Sequence, residues 1–284
     1  MRKRWAKQIG EWAGPLAQAL VVGAALHGSV AAHDTWFERL ASSLADQPVL
    51  ILGTGDQFPV FDSRHDIEHL ARSACSAGGQ TTGPLVRAEP AAGEWRLRPP
   101  QVLPPAARVS CWAQLQPFEI ELTDAVVEAY FQEAMPPAAV RQAWAAQRSR
   151  GQPWRERYIK HARIEWFPDP QRGAAPPEPS PMGMDALMLR PLQAPRAGEE
   201  LVFQLIKNGQ PMPHFSVEFR LHSSRLGLWR RSDEQGQVRW RVPSAGRWIL
   251  RGIEITPPPA QALEPLWQGL FITLAFDVLP AARP

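Results

Sequence analysis

Three histidines, at positions 33, 65 and 69, are the residues whose type and spacing best fit metal chemistry. His65 and His69 lie four residues apart, so in a helix both imidazoles would project from one face. Two imidazoles at that spacing can hold a borderline metal ion such as nickel, cobalt, copper or zinc. The same spacing is common on solvated helix faces, so the pair also fits an ordinary exposed surface.

The value of His33 as a ligand depends on where the mature chain begins. Basic residues at positions 2, 3, 4 and 7 precede an apolar stretch, residues 15–32, which ends in Val30-Ala31-Ala32. This is the layout of a secretory signal peptide, and it predicts residues 1–32 as the leader and the periplasm as the destination. Cleavage after Ala32 would make His33 the first residue and would give one metal ion both an α-amine and an imidazole.

Two alternatives remain open for this segment. Cleavage one residue earlier would leave Ala32 first and would remove the histidine terminus. Without cleavage the stretch would be a membrane anchor, but it holds only 18 residues and is interrupted by Gln18 and His27. A spanning helix needs about 20 mostly apolar residues, so the stretch is a poor membrane anchor. Because cleavage would remove it, no stable membrane span is expected in the processed chain.

Charge and composition exclude some classes of partner. Four of the 31 Lys and Arg residues and one of the 28 Asp and Glu residues lie in residues 1–32, which leaves 27 of each sign afterwards. A neutral surface without a basic stripe does not attract nucleic acid. Thirty prolines and twenty glycines disfavour long helices, and therefore favour β structure with many turns.

A proline-rich segment, residues 168–183, predicts a linker or long surface loop between two domains, residues 33–167 and 184–280. The second domain contains seven strand-like runs separated by turn residues, which is typical of a β-sandwich of immunoglobulin or transthyretin type. The runs are Ala186–Leu192, Glu200–Lys207, Phe215–Leu221, Leu226–Arg230, Val238–Val242, Arg247–Ile255 and Leu270–Val278.

The first domain is predicted to be a second sandwich-like unit with a small helical insertion, so the whole chain is expected to be mainly β. Thr123 can cap a first helix over Asp124–Met135, and a second helix is expected over Ala138–Arg150. Strands are expected on either side of the insertion, at Val49–Leu52, Val109–Leu115, Phe118–Leu122 and Tyr158–Phe167.

Cys75 and Cys111 are the two cysteines of the chain. An even number in an exported protein favours a disulfide. A metal-binding or redox pair is the alternative, but neither cysteine lies in a CxxC motif or has a histidine within three residues. The pair is therefore predicted to be a structural bridge.

Several strings in this order resemble a bacterial periplasmic family of unknown function that has been labelled a nickel-uptake substrate-specific component, with a transthyretin-like C-terminal part. The strings are His33-Asp-Thr-Trp-Phe37, Arg155-Glu-Arg-Tyr-Ile-Lys-His-Ala162, Ser232-Asp-Glu-Gln-Gly-Gln-Val238 and Pro243-Ser-Ala-Gly-Arg-Trp-Ile-Leu250. The resemblance implies export, a β-rich fold, a link to transition-metal uptake and His33 as a terminal residue. Residues 56–79 depart from the family pattern, and the resemblance does not supply His65 or His69 as ligands.

The leading hypothesis is a periplasmic, non-enzymatic protein that binds or delivers nickel, cobalt or copper and works with a metal transporter of the inner or outer membrane. No phosphate-binding loop or serine-nucleophile elbow is present in the sequence. One alternative is a metal-free interaction module of an envelope transport system. Another is a copper oxidase built on an N-terminal histidine brace, which would need a second histidine opposite His33.

Overall fold

The computed structural model describes residues 33–282, apart from residues 42, 43, 45, 89–94 and 223. The predicted signal peptide, residues 1–32, lies outside the described residues. The described strands are β1 Asp34–Arg39, β2 Leu50–Gly55, β3 Ser63–Arg64, β4 Leu70–Ala77, β5 Gln80–Thr81, β6 Val86–Arg87, β7 Leu97–Arg98, β8 Val109–Leu115, β9 Phe118–Leu122, β10 Trp154–Trp166, β11 Met184–Arg190, β12 Glu200–Lys207, β13 Gln210–Pro211, β14 Ser216–Leu221, β15 Gly227–Arg231, β16 Gln237–Arg241, β17 Gly246–Thr256 and β18 Trp267–Val278. The helices are a 3-10 turn at Ile67–His69, α1 Asp124–Ala134 and α2 Ala138–Arg148.

The strands form three sheets, and the largest lies between the other two. Its nine strands follow the order β15-β14-β17-β18-β10-β8-β4-β5, with β9 beside the first half of β10. One smaller sheet has the order β1-β2-β7-β6, with β3 on β2, and the other joins β11, β12, β13 and β16. The prediction of a mainly β chain with sandwich-like packing and a small helical insertion is confirmed.

Strand β18 explains why the large sheet carries an apolar layer on both faces. Alternate side chains of a strand point to opposite faces. Ile272 and Leu274 pack with the β11, β12 and β16 sheet, whereas Phe271 packs under the helices and Ala275 under β1 and β2. A strand covered on both sides reads as a continuous apolar run, and β18 has that run.

Strands from both sides of the proline-rich segment share the large sheet, because β10 pairs in parallel with β18. The segment itself contains no helix or strand and lies along the body. Arg72 donates to the carbonyl of Pro181, and Ala174 donates to the carbonyl of Leu192. The segment is therefore held at several points as a surface loop.

The seven strands expected after residue 184 are all present, as are both helices. Thr123 occupies the N-cap position of α1 in an extended conformation, but its side chain makes no capping hydrogen bond. The helices bury Phe131 and Trp144 against Trp154, which stacks on Trp267 at a centroid distance of 4.0 Å. Burial of these aromatic faces fixes the insertion to the ends of β10 and β18.

The predicted disulfide between Cys75 and Cys111 is confirmed. The two residues are direct partners in the antiparallel pair of β4 and β8. The backbone N–H and C=O of Cys75 bond to Thr82 on the other side of the strand. Cys75 therefore faces Cys111 at a non-hydrogen-bonded position, where opposed side chains come closest.

Candidate metal centre

His33 lies immediately before β1, at the edge of the smaller sheet. Asp34 pairs with Gly55 in the antiparallel ladder of β1 and β2, so the next pair of positions along the ladder places His33 beside Asp56. The Nε2 atom of His33 is 3.1 Å from Oδ1 of Asp56. Strand pairing over a short stretch of chain thus joins the first candidate ligand to a carboxylate.

The loop after β2 returns a second carboxylate to the same place. A Cβ atom on Gly53 would lie 2.3 Å from the ring of Phe61, and one on Gly55 would lie 2.3 Å from the carbonyl oxygen of Val60. The two glycines therefore allow the loop to fold back closely on β2. Asp62 then donates its N–H to the carbonyl of Thr54 and accepts from the N–H of Asp56.

His33, Asp56 and Asp62 form one group whose potential ligand atoms all lie within 4.8 Å of one another. Nδ1 of His33 is 3.5 Å from Oδ2 of Asp62. The three side chains are 29%, 46% and 51% exposed, so an ion can reach the group directly from solvent. One imidazole and two carboxylates are a donor set for a divalent metal of borderline character.

The backbone of His33 is anchored from below by the large sheet. Nζ of Lys160 donates to the carbonyl of His33 at 2.8 Å, and the hydroxyl of Thr273 donates to the carbonyl of Thr35. Burial lowers the pKa of Lys160 to about 8, against the opposing charge of Asp34. The anchoring carbonyl bonds leave the His33 side chain on the open face.

Asp34 points the other way, into a buried network of charges. Its carboxylate pairs with Nε of Arg251, and Nη1 of Arg251 donates to Glu218 at 2.8 Å. Burial raises the pKa of Asp34, and Arg251 opposes that effect. Burial also disfavours the charge of Arg251, but Asp34 and Glu218 outweigh it and raise the pKa of that guanidinium.

His65 and His69 do come together, with ring centroids 5.6 Å apart. The segment forms a 3-10 turn rather than an α-helix, because Asp66 and His69 cap it reciprocally. Nδ1 of His69 accepts from the N–H of Asp66, and Nε2 of His65 is 2.7 Å from the hydroxyl of Thr54. One ring nitrogen of each histidine is therefore engaged in holding the local fold.

Burial lowers the pKa of His65 to about 4, with smaller contributions from Lys160 and His69. The imidazole of His65 is therefore neutral at neutral pH. Its hydroxyl partner Thr54 also bonds to Thr35 on β1. This threonine pair lies between His65 and the position of His33 on the sheet.

The three predicted ligands do not meet as one set. Among the described residues, the group of three or more potential metal ligands contains His33 but neither His65 nor His69. Asp56 and Asp62 were not expected at the site. The sequence held a signal for Asp56 alone, because this residue ends the glycine-rich run Gly53-Thr-Gly-Asp56 directly after a strand, and no such signal marks Asp62 or its approach to Asp56.

The remaining histidines and methionines fit structural roles. His161 is 1% exposed, and its Nδ1 is 2.8 Å from the carbonyl of Phe271. His214 and His222 are exposed. Three methionines near the start of β11 are buried in the core between the large sheet and β11, namely Met182, Met184 and Met188.

Comparison with protein-family models gives no match, and no curated protein matches the chain. In the described part of the chain, no helix has the length and apolar character needed to cross a membrane.

Proposed function

We propose that this chain is an exported, non-enzymatic periplasmic protein that binds a divalent transition-metal ion at its processed N-terminus and delivers it for uptake. The observation that carries the proposal is the position of the His33 ring between two carboxylates from separate parts of the loop after β2. Their formal charges attract a cation, and the ring adds a nitrogen donor. The resemblance to a nickel-uptake family supports the same reading.

Processing after Ala32 would complete the donor set. The α-amine and Nδ1 of His33 can chelate one ion, and Asp56 and Asp62 would then each supply one oxygen donor. Two nitrogen and two oxygen donors suit nickel, cobalt or copper in the divalent state, whereas the monovalent state of copper prefers sulfur ligands. His65 and His69 are proposed as outer residues that hold the Thr54 side of the site, not as ligands of this ion.

A delivery protein needs a site that can release its ion. The three ligand side chains are between about a third and a half exposed, so a partner can reach the ion without unfolding the donor. A metal transporter of the inner or outer membrane is the proposed acceptor. The disulfide between Cys75 and Cys111 supports an oxidising compartment.

Calorimetric titration of protein that begins at His33 with Ni(II), Co(II) and Cu(II) tests the proposal. The variants Asp56→Asn and Asp62→Asn should each weaken binding by about tenfold or more, since even residues that only orient a ligand cost 10–100-fold. His214→Ala is the matched control, because His214 also has a carboxylate partner at 3.1 Å, Glu234, but only one.

A second sample that retains Ala32 ahead of His33 separates the contribution of the α-amine from that of the side chains. Loss of affinity in this sample alone would assign the amine as a ligand. Binding no tighter than about millimolar in both samples would refute the metal proposal and favour the metal-free interaction module. If wild type and the Asp56→Asn and Asp62→Asn variants bind the ion equally well, the ion binds elsewhere on the chain.

A further inference from the structure

The hairpin of β14 and β15 ends in a strongly basic segment. Residues 219–232 contain four arginines and no acidic residue, whereas the chain after residue 32 is balanced in charge. Arg220, which is opposite Gly227 next to the turn, is paired with Glu218. The other three, Arg225, Arg230 and Arg231, are exposed, and no carboxylate of the described residues forms an ion pair with them.

Apolar side chains project from the same segment. Leu226, at the turn, is 83% exposed, and Leu228, which follows in β15, is 40% exposed. Trp229 is half-buried between Leu228 and Arg230. Strand β15 is an edge strand of the nine-stranded sheet, so these side chains lie at the edge of the sheet and not in a groove.

We propose that this basic hairpin, residues 225–231, docks on the surface of an anionic phospholipid bilayer. Leu226 and Leu228 would enter the headgroup region. Arg230 and Arg231 each use one guanidinium nitrogen to donate to a backbone carbonyl, and the remaining donors, with those of Arg225, would bind lipid phosphates, which guanidinium groups match in geometry and charge. Each basic residue near an anionic surface strengthens binding by about fivefold, so three arginines give reversible attachment.

The geometry favours a lipid surface over an acidic protein partner. Protein interfaces are anchored by aromatic or arginine side chains packed into pockets, but here the most exposed group is an aliphatic side chain at a projecting turn. Leu226 projects at the turn beside Arg225, and Leu228 and Arg230 follow on one face of β15, an arrangement that fits a soft, planar, negatively charged surface. Tryptophan beside them is a side chain that prefers the membrane interface.

Buried ion pairs connect the hairpin to Asp34, which lies on the face opposite the candidate metal centre. Glu218 accepts from both Arg220 and Arg251, and Arg251 holds Asp34, which follows His33 in the chain. The docking proposal rests on the hairpin alone and does not require metal binding.

The test is co-sedimentation of protein beginning at His33 with two kinds of vesicle, pure phosphatidylcholine and phosphatidylcholine mixed with phosphatidylglycerol. Wild type should bind the mixed vesicles at least about tenfold more tightly, and added salt should weaken the binding. The double variant Arg230→Glu, Arg231→Glu should lose about tenfold or more of this affinity.

Leucine variants test the apolar part with a matched control. Leu226→Asp should weaken binding to the mixed vesicles by about tenfold, since burial of one leucine side chain is lost. Leu263→Asp should leave binding unchanged, because Leu263 is 94% exposed but is followed by the acidic Glu264 and lies outside the basic hairpin. Circular dichroism confirms that each variant is folded.

Equal binding of wild type and the double arginine variant to the mixed vesicles would overturn the proposal. An equal loss from Leu263→Asp and Leu226→Asp would also overturn it. If the folded wild-type protein binds neither kind of vesicle, an acidic protein partner would take the place of the lipid surface, and the proposal would fail. None of these results depends on whether a metal ion is bound at His33.

Discussion

His33 and Asp34 are neighbours in sequence, yet their side chains serve opposite faces of the same strand end. His33 lies on the open face with two exposed carboxylates, Asp56 and Asp62. Asp34 lies below, 6% exposed, in a network with Arg251 and Glu218. The same kinds of charged group occur on both faces, so burial rather than residue type separates the two roles.

The different roles of the exposed group and the buried network follow from the solvation of their charges. Charges taken out of water must be paired to offset their desolvation, and removal of one partner then leaves the others unpaired. Exposed charges keep their hydration and contribute little to stability. The exposed group around His33 can therefore exchange bound water for a metal ion. The buried network around Asp34 stabilises the position of β1.

The largest effect is expected from Arg251→Met. This change would leave Asp34 and Glu218 buried without their shared cation and should lower the free energy of unfolding by about 3–5 kcal/mol. Urea denaturation measures it. Arg239→Met, which breaks the exposed pair with Glu200, is the control and should cost less than about 1 kcal/mol. A cost below 1 kcal/mol for Arg251→Met would remove the distinction between the two faces.

The dependence of stability on pH tests whether burial has the same consequence for the imidazole of His161. Burial lowers the pKa of His161 to about 4, against its hydrogen bond to Phe271, so the unfolded chain binds a proton that the folded chain excludes. Stability from this group is complete above about pH 6.5 and falls as the pH drops toward 4, by up to about 1.4 kcal/mol for each pH unit.

His161→Gln should flatten this acid-side slope, measured by urea denaturation at a series of pH values between 7 and 4. The idea fails if the slope of the His161→Gln variant equals that of wild type.

Lys160→Met probes the link between the two faces. The substitution removes the donor to the carbonyl of His33, so the ligand is less firmly oriented. The affinity for Ni(II) should fall by about tenfold, as for other residues that position a metal ligand. Calorimetry checks this, and an unchanged affinity would show that the anchor does not serve the site.

The strands of the second half of the chain were easier to predict from the sequence than those of the first half. The seven strands after residue 184 follow from apolar alternation and turn residues. Strand β1 was not predicted, because its buried Asp34 interrupts the apolar pattern. Strand β4 was also missed, since its small and polar residues, such as Ser73 and Ala74, are buried around the disulfide instead of forming an apolar run.

The candidate site was predictable only in part. His33 could be identified from the expected cleavage point, and the proximity of His65 to His69 from their spacing, although a 3-10 turn replaces the helix. Asp56 and Asp62 could not be assigned, because their approach depends on the packing of Phe61 over Gly53. That contact is tertiary and leaves no local pattern in the sequence.

The smallest effect on stability is expected from His33→Ala. The ring is 29% exposed and its partners Asp56 and Asp62 are about half exposed, so the free energy of unfolding should change by less than about 0.5 kcal/mol. Urea denaturation in the presence of a chelator measures this without any contribution from bound metal. A loss of 2 kcal/mol or more would mean that His33 is a structural residue like Asp34.

Paramagnetic NMR is the most direct test of the central claim that the open face around His33 holds a metal ion. Protein beginning at His33, labelled with nitrogen-15, would be titrated with Ni(II) or Co(II). We expect the imidazole resonances of His33 and the amide resonances of Asp56 and Asp62 to broaden or shift first, and those around His214 to stay sharp. Broadening centred on His65 and His69, or on no particular region, would contradict it.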